Sequence, residues 1–351
     1  MNAEGEILFA RRGVAGIVTL NRPQALNALT FSMVLALRAQ LDHWASEARV
    51  RHVLIRAAGE RAFCAGGDIR ALYDLHQAGR IDEVIEFWAQ EYPLNAAIKH
   101  YNKPYVALVD GLVMGGGVGV SMHGALRIAG DRFAFAMPEV GIGFFPDVGA
   151  TFLMPRLPGK IGTYLALTGN RLGPADAVAF GLATHHVPSA RFGALLDALC
   201  KSDDLGKTLA GFVVDAGPAS LLPLVKLIDR AFAGATIEAI LAALDQEAAG
   251  AGADASFARE QAALIRTKCP LSLKIALEQM KRGASLDFDQ AMRTEFRIVN
   301  RVARGQNFYE GVRAAVLDKD NAPRWNPATL AEVSAEAVAA QFAPLPEELS
   351  L

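Results

Sequence analysis

The sequence predicts an α/β fold with a helical C-terminal region. In the N-terminal part, a buried strand, a glycine turn and a helix-like segment follow one another at least twice, and this alternation favours a parallel sheet with right-handed crossovers. Beyond about Pro155 the pattern is typical of successive helices broken by Gly, Pro and Asp. We therefore expect an α/β core that carries the active site in residues 1–200 and a mainly helical region in residues 201–351 that packs on this core.

Apolar runs and capping residues predict the individual elements. Residues 14–20 form the first predicted strand, and Thr30 can cap the next helix because apolar residues recur there at helical spacing. Later apolar runs alternate with glycine turns in the first half of the chain and with helical patterns in the second half. The other predicted strands span residues 53–57, 105–109, 126–129 and 133–136, and the predicted helices after the first span residues 69–76, 118–123, 159–168, 175–180, 221–232, 237–248, 271–280 and 288–302.

The composition excludes several classes of function. With 351 residues, 52% of them hydrophobic, and a net charge of −2, the chain can bury a large core and shows no sign of a nucleic-acid surface. Cys64, Cys200 and Cys269 are far apart and lack metal-ligand spacing, which favours a reduced cytosolic compartment and no metal site. Residues 1–6 lack the pattern of a targeting signal and no apolar run reaches membrane-spanning length, so we expect a cytoplasmic protein without a membrane partner.

Two carboxylates, Glu139 and Asp147, each directly follow a proline in otherwise apolar sequence. Burial in such surroundings penalises the charged form and raises a carboxyl pKa toward the range where the group can exchange protons near neutrality. A solvated loop is the alternative, because Asp and Glu are usually exposed. We interpret the two acids as candidate catalytic groups.

Successive glycines follow the apolar run 105–109, from Gly115 to Gly117. They allow the backbone to come close to a ligand, and the helix start that follows leaves N–H groups without an acceptor. Such donors can hold a developing negative charge. Two acids opposite them would suit chemistry at an acyl carbonyl.

Several groups of residues occur in order along nearly the whole chain. They are Asn21-Arg22-Pro23 with Leu26-Asn27-Ala28, Phe63 to Arg70, Met114 to Gly119, Met137-Pro138-Glu139 with Phe145 to Gly149, Leu165 to Gly169, and Glu310 to Ala314 with Asp318-Lys319-Asp320. Together they resemble the crotonase (enoyl-CoA hydratase/isomerase) superfamily. The C-terminal groups favour the branch of this superfamily that hydrolyses acyl-CoA thioesters.

The resemblance implies a crotonase-like ββα spiral core and an acyl-CoA substrate, with no cofactor apart from the coenzyme A of that substrate. In the family, two backbone N–H groups form an oxyanion hole for the thioester carbonyl, and here they would come from Ala65 and Gly116. The loop with Gly66, Gly67 and Asp68 would lie against the substrate. Relatives often form trimers or trimer pairs, so a homo-oligomer is a further expectation.

The resemblance also implies which reaction the chain catalyses. Hydratases of the family carry two catalytic glutamates, the first at the position of Gly119 and the second at that of Glu139, so the chain lacks half of a hydratase acid–base pair. The hydrolase branch pairs the second glutamate with an aspartate, here Asp147, and has a substrate-contacting acid at the position of Glu91. The implied reaction is hydrolysis of a short β-hydroxyacyl-CoA thioester, above all 3-hydroxyisobutyryl-CoA in valine catabolism. Glu139 would either attack the carbonyl or activate a water.

Other classes of protein agree less well with the residues. A dinucleotide-binding fingerprint needs its third glycine where the chain has Val120. Ser121 and His123 do not face each other on a helix, which argues against a Ser-His-Asp hydrolase, and His185-His186 lack helical metal-ligand spacing. A hydratase or isomerase, and a noncatalytic acyl-CoA-binding protein, remain as alternatives.

Overall fold

The structure is a computed structural model that describes residues 5–351. The prediction that residues 1–6 carry no targeting signal therefore lies largely outside the described residues. The strands are β1 (Ile7–Arg12), β2 (Ala15–Leu20), β3 (His52–Ala57), β4 (Ala62–Cys64), β5 (Tyr105–Val109), β6 (Leu112–Met114), β7 (Leu126–Ala129), β8 (Ala134–Ala136) and β9 (His185–His186).

These strands form two sheets. The larger sheet has six strands in the order β1-β2-β3-β5-β7-β9, in which β1 pairs antiparallel with β2 and the other pairs are parallel. The smaller sheet has three parallel strands in the order β4-β6-β8. Parallel pairing of strands that are separated in sequence shows that the chain crosses over between them, as predicted, and the right-handedness of these crossovers stays a prediction.

The helices cover both sides of the larger sheet and make up most of the second half of the chain. They are α1 (Phe31–Ser46), α2 (Ile69–Gln77), α3 (Ile81–Lys99), α4 (Gly116–Gly119), α5 (Ala150–Leu153), α6 (Ile161–Thr168), α7 (Pro174–Ala179), α8 (Phe192–Leu199), α9 (Leu205–Ala210), α10 (Val225–Ala231), α11 (Ile237–Ala248), α12 (Ala253–Arg266), α13 (Pro270–Gly283), α14 (Phe288–Val302), α15 (Asn307–Val312) and α16 (Ala335–Gln341). Within residues 5–351, no helix combines the length and the apolar composition needed to cross a membrane.

The central strands are apolar on both faces because the sheet separates two cores. On β3, Leu54 faces the smaller core, which α8 and α9 complete, whereas Val53 and Ile55 face the larger core. A strand buried on both faces gives a continuous apolar run rather than an alternating one. This is why the apolar runs in the sequence predicted β2, β3 and β5 well.

The C-terminal helices pack directly on the core. Gly283 at the end of α13 approaches α5 so closely that a Cβ atom there would lie 1.9 Å from Thr151 O. The helix α14 lies against α3 and α5, and α15 lies against the turn Glu139–Ile142. Residues from both halves of the chain therefore surround this turn.

Candidate active site

Three parallel strands of the smaller sheet end at the same edge. β4 ends at Cys64, β6 at Met114 and β8 at Ala136, and the carboxyl ends of parallel neighbours lie together. The segments that follow are the two glycine turns and the segment leading to Glu139. A cavity of about 210 Å³ lies at this edge and is lined by residues of all three segments.

The two glycine turns are in direct contact. A Cβ atom added to Gly115 would lie 3.3 Å from the Cα atom of Gly66, so Gly115 has little room for a side chain at this point. Gly115 and Gly66 also adopt positive φ angles of 45° and 112°, which favour glycine. The two glycine turns therefore share one cleft.

The other walls of the cavity are mainly apolar. Trp88 of α3 stacks on Phe144 with ring centroids 5.3 Å apart, and Phe308 of α15 lies 5.0 Å from Phe144. Ile69 and Leu72 of α2 close the cavity on another side. Apolar walls lower the local dielectric constant, and electrostatic interactions inside the cavity are therefore stronger than in solvent.

Glu139 begins a 3₁₀ turn, Glu139–Ile142, at the cavity wall. The residue is 6% exposed, and its Oε1 atom lies 3.4 Å from the position that a Cβ atom of Gly115 would take. Its Oε2 atom has no hydrogen-bond partner among residues 5–351. Burial, reinforced by the charges of Asp147 and Glu295, raises the pKa of Glu139 well above its usual value.

Asp147 lines the same cavity and is 5% exposed. Its Oδ2 atom accepts a hydrogen bond from the Tyr92 hydroxyl at 2.9 Å. Burial raises the pKa of Asp147 to about 7, although the bond from Tyr92 favours the ionised form. The structure therefore brings both predicted acids together in one cavity.

Glu91 reaches the cavity from α3 and is 2% exposed. Its Oε1 atom lies 2.6 Å from the position that a Cβ atom of Gly116 would take and has no partner among residues 5–351. Burial, and then the charges of Asp147 and Glu295, raise the pKa of Glu91 well above its usual value. A third acid thus lies beside Gly116.

The two amides predicted as oxyanion donors are placed differently. Gly116 N–H belongs to the first residue of α4 and makes no hydrogen bond within residues 5–351. Ala65 N–H, in contrast, donates to Leu26 O at 3.0 Å. This bond counts against Ala65 as a donor because its amide is already used to hold the loop. Gly67, two residues further, lines the cavity and its amide has no acceptor in the described part of the chain.

The remaining predicted substrate-binding residues divide into two groups. Gly66 and Gly67 line the cavity, whereas Asp68 does not belong to its walls. The Asp68 carboxylate caps α2 by accepting the Ala71 N–H at 3.3 Å, and it accepts a bond from Arg22 at 3.0 Å. Asp68 therefore fixes the loop that carries the two glycines.

Gly119 lies where α4 packs against α3. A Cβ atom there would lie 2.6 Å from Asn95 Nδ2 and 2.9 Å from Val148 Cβ. Asn95 is fully buried and occupies the space that a side chain at position 119 would need. The first acid of a hydratase pair is therefore missing, and its space is filled.

Two buried residues of the C-terminal helices were missed by the sequence analysis. Glu295 of α14 accepts hydrogen bonds from Gly149 N–H and Thr151 N–H, both at 2.8 Å. Gln279 of α13 donates to Pro146 O and to Thr151 Oγ1, also at 2.8 Å. The only signal in the sequence was a Glu within the apolar stripe of α14.

The alternative sites do not form. Ser121 Oγ donates to Gly117 O, and His123 Nε2–H donates to Val148 O, both at 2.6 Å, so the two side chains do not bond each other. Burial lowers the pKa of His123 to about 4, which keeps the ring neutral. His186 bonds Asp131 at 3.1 Å. Within residues 5–351 no group of three or more His, Cys, Asp or Glu side chains is arranged to hold a metal ion.

The fold and this cavity define a class of protein. The family model for enoyl-CoA hydratase/isomerase matches residues 15–342, and the chain belongs to that family. A structure of a carnitinyl-CoA dehydratase from Mycobacterium thermoresistibile has a TM-score of 0.93 and 41% identity over 99% of both chains. A structure of an enoyl-CoA hydratase from Rhodobacter sphaeroides has a TM-score of 0.89 and 40% identity over 99% of this chain and 100% of its own. The predicted crotonase-like core with a helical C-terminal region is thereby confirmed.

Within the family, similar curated proteins carry a more specific name. The mitochondrial 3-hydroxyisobutyryl-CoA hydrolase of Danio rerio is 42% identical over 98% of this chain and 91% of its own length. The human protein of the same name is 39% identical over 95% of this chain and 88% of its own. The resemblance to the hydrolase branch is thereby confirmed. These relatives are named mitochondrial, so the cytoplasmic location stays a prediction. The homo-oligomer also stays a prediction.

Proposed function

We propose that the protein hydrolyses a short β-hydroxyacyl-CoA thioester, with 3-hydroxyisobutyryl-CoA as its substrate and valine degradation as its setting. One observation carries the proposal: two buried acids, Glu139 and Asp147, share a cavity with free backbone amides, while Gly119 leaves no second hydratase acid. The names of the relatives that are about 40% identical support the same substrate.

In the proposed reaction the thioester carbonyl oxygen accepts hydrogen bonds from Gly116 N–H and Gly67 N–H, the latter in place of Ala65. The ionised Glu139 takes a proton from a water, and the water oxygen attacks the carbonyl carbon. The negative charge that develops on the carbonyl oxygen is held by the two amides, each of which is typically worth about 3–4 kcal/mol in such a site. The C–S bond then breaks, and the leaving thiolate takes the proton from Glu139.

Asp147 and Glu91 would orient the acyl group. Both carboxyls line the cavity near Glu139, and each is held by burial at a raised pKa, so that a protonated carboxyl can donate to the β-hydroxyl while an ionised one can accept from it. An acyl chain without a β-hydroxyl has no group that could form a hydrogen bond with these carboxyls. We therefore expect a β-hydroxyl to improve turnover over a plain acyl group of the same length.

A panel of acyl-CoA thioesters tests the proposal. Free thiol release is followed on one channel and loss of enoyl absorbance on the other, with 3-hydroxyisobutyryl-CoA, isobutyryl-CoA and an enoyl-CoA as substrates. We expect thiol release that is fastest with the β-hydroxy substrate. Loss of enoyl absorbance without thiol release would instead show a hydratase, the activity for which the similar Rhodobacter sphaeroides protein is named. No signal on either channel would favour a noncatalytic acyl-CoA-binding protein.

The way in which Glu139 acts is a separate question. Direct attack of its carboxylate on the carbonyl would form a mixed anhydride, and water would then release the acid. A single turnover in ¹⁸O-labelled water, followed by mass spectrometry of the peptide with Glu139, and a second turnover in the presence of borohydride test the two routes together. Label in Glu139 indicates an anhydride that water opens at the Glu139 carbonyl carbon, and reduction of Glu139 to the alcohol indicates an anhydride whichever carbonyl water attacks. Neither label nor reduction indicates that Glu139 activates water.

A further inference from the structure

Glu295 is a buried acid that lies outside the cavity wall. It is in the middle of α14, it is fully buried, and no Lys, Arg or His side chain within residues 5–351 forms an ion pair with it. Each of its two carboxylate oxygens instead accepts one backbone N–H, from Gly149 and from Thr151. A carboxylate can accept on both oxygens at once, which an amide side chain cannot do.

The two amides belong to the segment that carries Asp147. Val148, the next residue, has a φ angle of +52°, which is unfavourable for a β-branched residue, and Gly149 follows at +91°. A Cβ atom at Gly149 would lie 2.7 Å from the ring of His123, so no other residue can take this place. A strained backbone of this kind persists only where its surroundings hold it.

Side chains from three directions hold this segment. Glu295 fixes its far end, Gln279 donates to Pro146 O on the near side, and His123 donates to Val148 O. Asp147 lies between these fixed points, and its side chain points to the Tyr92 hydroxyl and the cavity. The direction of the Asp147 carboxylate therefore depends on backbone contacts that begin on α14.

We propose that Glu295 is a positioning residue for thioester hydrolysis, which acts by fixing the strained segment 147–149 and so aiming the Asp147 carboxylate at the substrate. The inference rests on the proposed function. Glu295 does not line the cavity, and its loss leaves substrate binding by the glycine turns intact. Its charge also raises the pKa of Glu139, and the double variant with Asp147→Asn separates this effect from positioning, because only positioning acts through Asp147. A displacement of a catalytic group by about 1 Å can lower a rate about 100-fold.

The test compares Glu295→Gln, Asp147→Asn and the double variant by thiol release from 3-hydroxyisobutyryl-CoA. The glutamine directs an NH₂ group at one of the two backbone N–H groups and so displaces the segment. We expect kcat of Glu295→Gln to fall about 10-fold to 100-fold with KM nearly unchanged. In the Asp147→Asn background the same change should lower kcat little further, because residues that act as one unit are not additive.

Asp289→Asn is the matched control, because Asp289 lies on the same helix, bonds the exposed His100 and undergoes the same change from carboxyl to amide. It should keep the wild-type kcat. If Glu295→Gln does not fold, Glu295→Asp replaces it in the same comparison of single and double variants. Aspartate keeps the carboxyl group but has a shorter side chain. The inference would be overturned if Glu295→Gln lowered kcat by the same factor in the Asp147→Asn background as in the wild type. An unchanged kcat of Glu295→Gln would overturn it as well. Absence of thiol release by the wild type would refute the proposed function itself.

Discussion

At the scale of single residues, the site depends on three acids whose pKa values are raised by burial. Asp147, Glu139 and Glu91 all lie in an apolar cavity, and burial is the largest cause of the raised pKa of each. The charge of Asp147 raises the pKa of Glu139 and Glu91 further, because like charges close together cannot all ionise easily. Such a cluster can accept a proton from water and donate one to a leaving group in the same turnover.

Replacement of Asp147 tests this account at one residue. Asp147→Asn keeps the size of the side chain and its bond with Tyr92, but it removes the charge, so we expect turnover to fall about 100-fold or more while the fold stays intact. Thiol release and thermal unfolding measured on the same sample check both parts. Asp74→Asn on the exposed side of α2 is the control and should retain full activity. Unchanged turnover of Asp147→Asn would remove Asp147 from the mechanism.

At the scale of elements, the sequence predicted regular helices well and irregular ones poorly. The predicted helices 237–248 and 288–302 agree with α11 and α14, and Thr30 caps α1 by accepting the Met33 N–H. These helices have one apolar face and clear capping residues, so their pattern is a local property of the sequence.

The predicted helix 118–123 was wrong, and α3 was missed. α4 begins at Gly116 and lasts only to Gly119, because glycines allow the chain to turn wherever tertiary contacts require it. The helix α3 has buried residues on several sides and contains Pro93, so it lacks a single apolar stripe. Glu295 was missed for a related reason, because its partners are backbone amides about 145 residues away along the chain.

The contact between α3 and α4 gives a prediction for this pair of elements. Alanine at an interior helix position normally stabilises relative to glycine, but Gly119→Ala would place a Cβ atom 2.6 Å from Asn95 Nδ2. We expect Gly119→Ala to lower the free energy of unfolding by about 1–3 kcal/mol. Asn95→Ala should relieve part of this loss, so that urea unfolding of the two single variants and the double variant gives a coupling of about 1 kcal/mol. Additive effects would contradict the close packing described here.

At the scale of the whole molecule, both halves of the chain build the site. Residues 1–200 supply the strand ends, the glycine turns and the acids, whereas the C-terminal helices supply Phe308 at the cavity wall and the contacts of Gln279 and Glu295 behind it. The division into a core and a C-terminal region therefore does not divide the site. Local sequence patterns predicted the acids and the glycine turns, but the support behind them depends on tertiary packing.

The buried acids also affect the stability of the whole molecule. The pKa of Asp147 rises from 3.8 to about 7 on folding and that of Glu295 from 4.5 to about 8, so the folded chain binds more protons than the unfolded chain between these values. Their contribution to stability is therefore fully present below about pH 4 and is lost as the pH rises to about 8, on the order of 1.4 kcal/mol for each unit of pKa shift. The free energy of unfolding in urea, measured between about pH 5 and 8, should decline more steeply for the wild type than for Asp147→Asn. Equal slopes would show that Asp147 is not held at a raised pKa.

The most direct test of the account compares the wild type with Glu139→Gln in thiol release from 3-hydroxyisobutyryl-CoA at neutral pH. We expect rapid release by the wild type and a loss of about 10²–10⁴-fold in kcat for the variant, because a neutral amide can neither take a proton from water nor attack the carbonyl. Substrate binding, measured by calorimetry with the variant, should persist. Thiol release by Glu139→Gln at the wild-type rate would contradict the claim that this acid cleaves the acyl–sulfur bond.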